Sequence, residues 1–111
     1  MDERTRRIGA NEAVFREVNE QIESLNRGFE AVGGNTMTVV CECADLACAQ
    51  QLVVRLDDYE RIRADATLFI IAPAHEQPDV ERVVEEASGY HVVQKLPGLA
   101  SGVARATDPR H

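Results

Sequence analysis

Aromatic residues are scarce in this chain, at 5% of its 111 residues, and tryptophan is absent. A hydrophobic core built from this composition must be aliphatic and modest in size. No apolar run approaches the ~18 residues expected of a membrane span. The first residues are too polar for a secretory signal peptide. A phosphate-binding loop, a dinucleotide fingerprint and a nucleophile–base set are also missing. We therefore expect a cytoplasmic protein without a membrane segment, and the balance is against an enzyme although the question stays open.

Basic residues are outnumbered, with 12 against 19 acidic ones, and the formal net charge is -7. Nucleic-acid-binding domains usually carry a basic patch, so the charge makes nucleic acid an unexpected partner. A protein partner fits this balance better. The one local exception is the basic group formed by Arg4, Arg6 and Arg7.

The length of the chain suits one domain. Polar residues dominate residues 1–10, which are predicted to form a flexible N-terminal arm. Residues 11–96 are predicted to form a single domain. Residues 97–111 contain few large apolar side chains and are predicted to form a flexible C-terminal tail.

Helical periodicity marks residues 11–32, with Asn11 as the predicted N-cap and Gly33-Gly34 at the end. Apolar residues recur at alternating intervals of three and four, as in the seam of a coiled coil. The helix could therefore pair with a second copy or a partner, or it could lie across its own sheet. The second alternative is preferred, because the run is short for a coiled coil. The residues of this stripe are Phe15, Val18, Ile22, Leu25, Phe29 and Val32, and Ile8 extends it backward.

The remaining pattern predicts strands and one short helix. Residues 36–41 and 51–56 are typical of strands, and 68–71 of a buried strand. Asp57 is predicted to cap the short helix. Residues 78–88 fit a helix, but residues 78–96 also fit a hairpin, which their β-branched residues favour. We therefore predict an α+β fold: an N-terminal amphipathic helix packed on a small, mostly antiparallel sheet of four or five strands.

Three cysteines lie within eight residues, as Cys41, Cys43 and Cys48 in the pattern C-x-C-x4-C. An odd, clustered set is unlike a secreted disulfide scaffold. Clustered thiolates are soft ligands that select zinc or an iron–sulfur cluster. The loop between two predicted strands would hold such ligands in place.

Tetrahedral zinc needs a fourth donor, and Cys3His is a common structural set. His75 follows a buried strand and a Pro-Ala turn, so it should lie at a sheet end near the cysteine loop. His91 is placed within a strand and His111 at the terminus, which makes both poorer candidates. Asp45 could ligate or could cap a turn in the loop. The predicted metal ligands are Cys41, Cys43, Cys48 and His75.

Other interpretations of the cluster remain open. The thiols could form a redox switch, the ligands could hold an iron–sulfur cluster, or the cysteines could bind no metal. Catalytic zinc would need an open position and a base, for which Glu76 is the nearest acid.

Several segments resemble a family of small uncharacterised proteins from GC-rich actinobacterial genomes. The matching segments are RRIGANEAVFREVNEQIESLN, VCECADLAC, DDYERIRADATLFIIAPAHE, PDVERVV and TDPR, which span most of residues 6–110. The family has no established activity. The resemblance implies a cytoplasmic bacterial protein in which the Cys-x-Cys loop and the Pro-Ala-His-Glu turn belong together, and this favours His75.

The sequence therefore predicts a small structural zinc protein that acts as a regulatory or protein-interaction module. A thiol- or metal-based redox sensor is the alternative, and a small metalloenzyme ranks last. The partner would be another protein or a second copy bound through residues 11–32.

Overall fold

The computed structural model describes residues 2–29 and 35–110, and within them it has the predicted α+β fold. Three helices and five strands follow one another along the described chain. They are α1 (Asp2–Phe29), β1 (Thr36–Val40), β2 (Gln51–Arg55), α2 (Leu56–Arg63), β3 (Leu68–Ile71), β4 (Glu81–Ala87), β5 (Tyr90–Lys95) and α3 (Leu99–Ala106).

The five strands form two antiparallel sheets where the sequence predicts one. β1 and β2 make a two-stranded ladder from Thr36↔Arg55 to Val40↔Gln51. Their residues alternate between buried and exposed, as expected for strands with one face against the core. A backbone bond from the Glu42 N–H to the Ile70 carbonyl, 2.8 Å, links this sheet to the other.

The second sheet has the strand order β3-β5-β4. Its β4–β5 hairpin confirms the interpretation of residues 78–96 as strands. Val83 faces Val93, and the register shifts between Val83 and Glu85. Gly89 supplies a positive φ of 91° in the turn, a conformation that glycine adopts without steric cost.

The core lies between α2 and the two sheets. It is mainly aliphatic, as the composition predicts, with Phe69 and the two tyrosines as its aromatic members and Cys41 and Cys43 at its edge toward the cysteine loop. Tyr59 and Ile62 are fully buried on α2. This helix begins at Leu56 with Arg55 at the N-cap and no side-chain cap bond, so the prediction that Asp57 caps it is wrong; Asp57 lies in the first turn.

The N-terminal arm predicted for residues 1–10 is helical from Asp2 onward, as the first part of α1. Ile8 is buried, and Arg4 bonds to Gln77 and pairs with Asp79. A Cβ at Gly9 would collide with Val103 of α3. A glycine is therefore needed where α1 crosses α3. Hydrophobic periodicity in the sequence cannot predict this close contact.

The predicted C-terminal tail also takes part in the folded unit. Residues Leu99–Ala106 form α3, with Ser101 and Ala104 buried. Arg110 bonds to the carboxylates of Glu20 and Glu60. The small residues that suggest disorder in the sequence instead permit close packing against α1.

The apolar stripe of α1 faces the fold only in part. Ile8 is buried and Ile22 packs against the core, whereas Val18 is 38% exposed and Leu25 67% exposed. Apart from Ile8, the buried side chains of α1 are polar: Glu12, Arg16, Asn19 and Glu23. The predicted end of the stripe at Val32 and Gly33-Gly34 lies outside the described residues.

Several polar groups on the inward face of α1 have backbone partners. Arg16 donates to the carbonyls of Ala66 and Ala104, both at 2.7 Å, and its guanidinium stacks 4.5 Å from the Phe69 ring centroid. These bonds offset much of the cost of burying the charge. Among the described helices, none is both long and apolar enough to cross a membrane.

Candidate metal centre

Cys41 directly follows β1, and the cysteine loop returns to β2. The loop is closed by the Cys41 N–H, which donates to the Gln50 carbonyl at 2.9 Å. A second turn forms where the Cys48 N–H donates to the Asp45 carbonyl, also at 2.9 Å. The Asp45 carboxylate accepts from the Ala47 N–H at 2.9 Å, so it has the turn-forming role that the sequence left open.

His75 is presented by a tight turn after β3. The His75 N–H donates to the Ala72 carbonyl at 3.1 Å. Ala74 has a positive φ of 72°, and it follows Pro73. Proline at the second position and positive φ at the third define a type II turn, in which glycine is usual at Ala74's position. An alanine held there shows that the surrounding structure fixes this turn firmly.

The four predicted ligands lie together. One ligand atom from each of Cys41, Cys43, Cys48 and His75 lies within 4.8 Å of all the others. The His75 Nδ1 atom is 3.6 Å from the Cys41 Sγ and 3.7 Å from the Cys48 Sγ. Tetrahedral zinc, with Zn–S of ~2.3 Å and Zn–N of ~2.0–2.1 Å, separates sulfur and nitrogen ligands by about 3.5–3.6 Å. The cluster is therefore compatible with a single bound metal ion.

Among the described residues, His91 is not part of this cluster. His91 lies on β5 opposite Ile71, as its predicted place in a strand requires. His111 lies outside the described residues.

Burial disfavours the ionised, thiolate form of these cysteines unless a positive charge lies nearby. Cys41 and Cys43 are buried, whereas Cys48 and His75 are half-buried. Burial raises the pKa of the Cys41 thiol to about 12, and it also raises the pKa of Cys43. One backbone donor, the Ala72 N–H, lies 3.1 Å from the Cys41 Sγ. A divalent cation would supply the positive charge that clustered thiolates need.

Glu42 anchors the Cys-x-Cys segment from the side opposite the cluster. Its carboxylate is fully buried and accepts from Arg63 at 2.6 Å and from Asn19 at 2.7 Å. Its other oxygen accepts from the Ile70 N–H at 3.0 Å. In an extended segment, alternate side chains point to opposite faces, so Glu42 can be bound on one side while both cysteines face the other.

Two asparagines of α1 hold the same segment. Asn19 bonds to both the N–H and the carbonyl of Val40, at 2.8 and 2.9 Å. Asn11 donates to the Ala44 carbonyl at 2.8 Å, so its predicted role as an N-cap is wrong. Sequence reasoning missed these positioning residues. The alternation of Cys41, Glu42 and Cys43 was the available signal, but the sequence does not indicate Arg63 or Asn19 as partners.

A shallow depression of about 210 Å³ opens beside the cluster, lined in part by Cys43, His75 and Glu76. One carboxylate oxygen of Glu76 is buried and has no hydrogen-bond partner in the described part of the chain. Four protein ligands would nevertheless complete a tetrahedral shell, which is the closed arrangement of structural sites.

The comparisons with protein-family models, with curated proteins and with solved structures find no match for this chain. The resemblance to small actinobacterial proteins therefore stays a prediction.

Proposed function

We propose that Cys41, Cys43, Cys48 and His75 bind one structural zinc ion, and that the protein is a regulatory or protein-interaction module stabilised by this metal. The observation that carries the proposal is the mutual distance of the four ligand atoms, all within 4.8 Å. Such a cluster suits a single ion, because an iron–sulfur cluster inserts several atoms between its ligands and holds them further apart.

A closed site at this position favours a stabilising role over catalysis. The cysteine loop joins β1 to β2, whereas His75 follows β3 in the other sheet. One ion would therefore link the two sheets at one end of the molecule. Metal binding supplies folding free energy directly, which is valuable to a domain with a small aliphatic core. Three thiolates and one neutral imidazole would give the zinc site about one net negative charge.

The interaction role is supported by the outward apolar side chains of α1. Val14, Val18 and Leu25 are 54%, 38% and 67% exposed. Apolar groups aligned along one helix face are a common means of binding another helix. The partner is a second copy of the chain or another protein, and the proposed location is the cytoplasm.

Metal analysis on freshly purified protein tests the zinc assignment. We expect one zinc per chain by native mass spectrometry, and a sharp fall in melting temperature with a chelator or in Cys43→Ser.

His75→Asn should lose the metal and His91→Asn should keep it, because His75 belongs to the cluster and His91 does not. A chelator that strips the metal without lowering the melting temperature would contradict a structural role.

The redox alternative has its own support in the half-buried Cys48, which solvent can reach. Peroxide would take two electrons from two thiols, one S–S bond would form, and the peroxide would be reduced to two waters. Cys48 would pair with Cys41 or Cys43, since Cys41 and Cys43 are too close in sequence for an unstrained disulfide. Metal loss with a two-proton mass decrease after mild peroxide would favour the sensor.

A further inference from the structure

A second candidate site lies where β5 leads into α3. An open cavity of about 440 Å³ is lined by residues that include Thr67, Arg82, Gln94, Gly98, Ser101 and Arg105. Its volume falls within the range of small-molecule sites. None of the described residues that line it is acidic. This is unexpected in a chain with a net charge of -7.

The two arginines of this cavity differ from several others in the described structure. Arg61, Arg63 and Arg110 are each bonded to a carboxylate. In the cavity, the Arg105 guanidinium lies 3.4 Å from the neutral Ser101 hydroxyl, and the lining offers no carboxylate to either arginine. Two solvent-exposed arginines, Arg82 and Arg105, therefore line a cavity whose lining residues carry no acidic counter-charge.

The charge of the cavity matches a dianion. Lys95 also lines it, but its ammonium group is buried and paired with Glu12 and Glu81. The net positive charge thus comes from Arg82 and Arg105. The first turn of α3 adds to it, because Gly98 at the N-cap has no side-chain cap bond and no acidic residue follows. Helix N-termini favour anions.

We propose that this cavity binds a small molecule through its phosphate group. A phosphate monoester carries about -1.5 to -2 charges at pH 7, close to the charge of two arginines. The planar guanidinium forks also fit phosphate oxygens in pairs. Gln94, Thr67 and Ser101 provide neutral polar groups for the rest of the ligand, and Leu96 and Pro97 provide an apolar wall.

This site is separate from the candidate metal centre. Thr67 precedes β3, whereas Ala72 and His75 follow it. The two sites therefore lie at opposite ends of that strand, about 17 Å apart for five extended residues. Loss of phosphate binding and loss of metal can be measured independently.

A titration of the full chain with inorganic phosphate at constant ionic strength tests the proposal, with amide chemical shifts as the readout. We expect saturable shifts at Gly98 to Ser101. The double variant Arg82→Gln/Arg105→Gln should bind phosphate at least about tenfold more weakly, because two charged hydrogen-bond donors are lost. The control Arg55→Gln removes an exposed arginine of β2, outside the cavity, and should bind within about twofold of the wild type.

Three outcomes would overturn the proposal. The amides of α3 could fail to saturate with phosphate, the double variant could bind as tightly as Arg55→Gln, or acetate could bind as tightly as phosphate. Equally tight binding of acetate would show that the cavity accepts a carboxylate ligand and has no selectivity for the phosphate dianion. Heteronuclear spectra of the double variant report its folding directly, so a loss of affinity in a folded variant is attributable to the arginines.

Discussion

Among single residues, Glu42 holds the backbone of the metal centre in place through three hydrogen bonds. Its carboxylate is fully buried and pairs with Arg63, whose side chain is 1% exposed. A buried pair contributes little net stability, because desolvation offsets the attraction. Removal of one partner is costly, since it leaves an unpaired charge. The pair therefore acts mainly to fix the backbone from which Cys41 and Cys43 project.

Glu42→Gln should lower the free energy of unfolding by about 3–5 kcal/mol. The zinc affinity should fall by about ten- to a hundredfold, as for other residues that orient metal ligands. Urea unfolding of the metal-free protein and a zinc competition assay measure the two effects separately. Glu86→Gln is the matched control, because Glu86 is exposed on β4, and it should change the unfolding free energy by less than about 0.5 kcal/mol. Equal zinc affinity in both variants would refute the positioning role.

Two faces of α1 have opposite roles at the element scale. The inward face is rich in polar residues, and Asn11, Arg16 and Asn19 bond to backbone carbonyls of the cysteine loop, of α3 and of β1, respectively. The outward face presents apolar groups that the described fold leaves exposed. The helix thus packs on its own domain through hydrogen bonds and through Ile8 and Ile22, and it keeps Val18 and Leu25 of the stripe available for association.

If this stripe pairs with a second copy, the native mass of the wild type should be that of a dimer at micromolar concentration. Val18→Asp or Leu25→Asp should yield monomers, because a carboxylate would be buried in the apolar contact. Ser24→Asp adds the same charge to the same helix at an exposed position and should leave the dimer intact. A wild-type protein that is monomeric throughout would exclude self-association and leave a different protein as the partner.

At the scale of the whole molecule, a buried triad of Glu12, Lys95 and Glu81 links α1, β5 and β4. Lys95 lies between the two carboxylates, which belong to α1 and β4. Burial raises the pKa of Glu12 from 4.5 to about 8, and the Glu81 charge also raises it, while Lys95 opposes both. One proton is thus retained by the carboxyl pair in the folded state near neutral pH.

This proton makes stability depend on pH in a definite direction. The folded pKa lies above the unfolded value, so the folded state binds more protons between them, and the stability that Glu12 contributes is lost as the pH rises from about 4.5 to about 8. In urea unfolding of the zinc-loaded proteins, the stability of the wild type relative to Glu12→Gln should therefore decline between pH 6 and pH 8. The amide of the variant does not titrate, and the pH dependence of zinc binding is common to both proteins. An identical slope in both proteins would contradict the assignment of the proton to this triad.

Much of the local structure could be predicted from the sequence. The alternation of residues 51–55, the apolar run of 68–71 and the β-branched hairpin all have patterns that depend only on neighbours along the chain. The candidate metal ligands could be selected for a similar reason, because thiol spacing and a turn before His75 are local features. The helical structure of the predicted arm and tail was not expected, since α3 is positioned by a close contact between Val103 and Gly9, far away in sequence.

Residues 11–96 have element types and a soft-ligand cluster that side-chain chemistry and short-range periodicity are enough to predict, with the hairpin left as one of two alternatives. The buried face of α1 depends instead on packing between remote segments. Apolar periodicity favours the Phe15–Leu25 stripe, yet the inward face is set by partners on remote segments, such as the carbonyls bonded to Arg16 and Asn19. The same holds for the basic cavity, since Arg82 and Arg105 are far apart in the chain and are brought together by the packing of β4, β5 and α3.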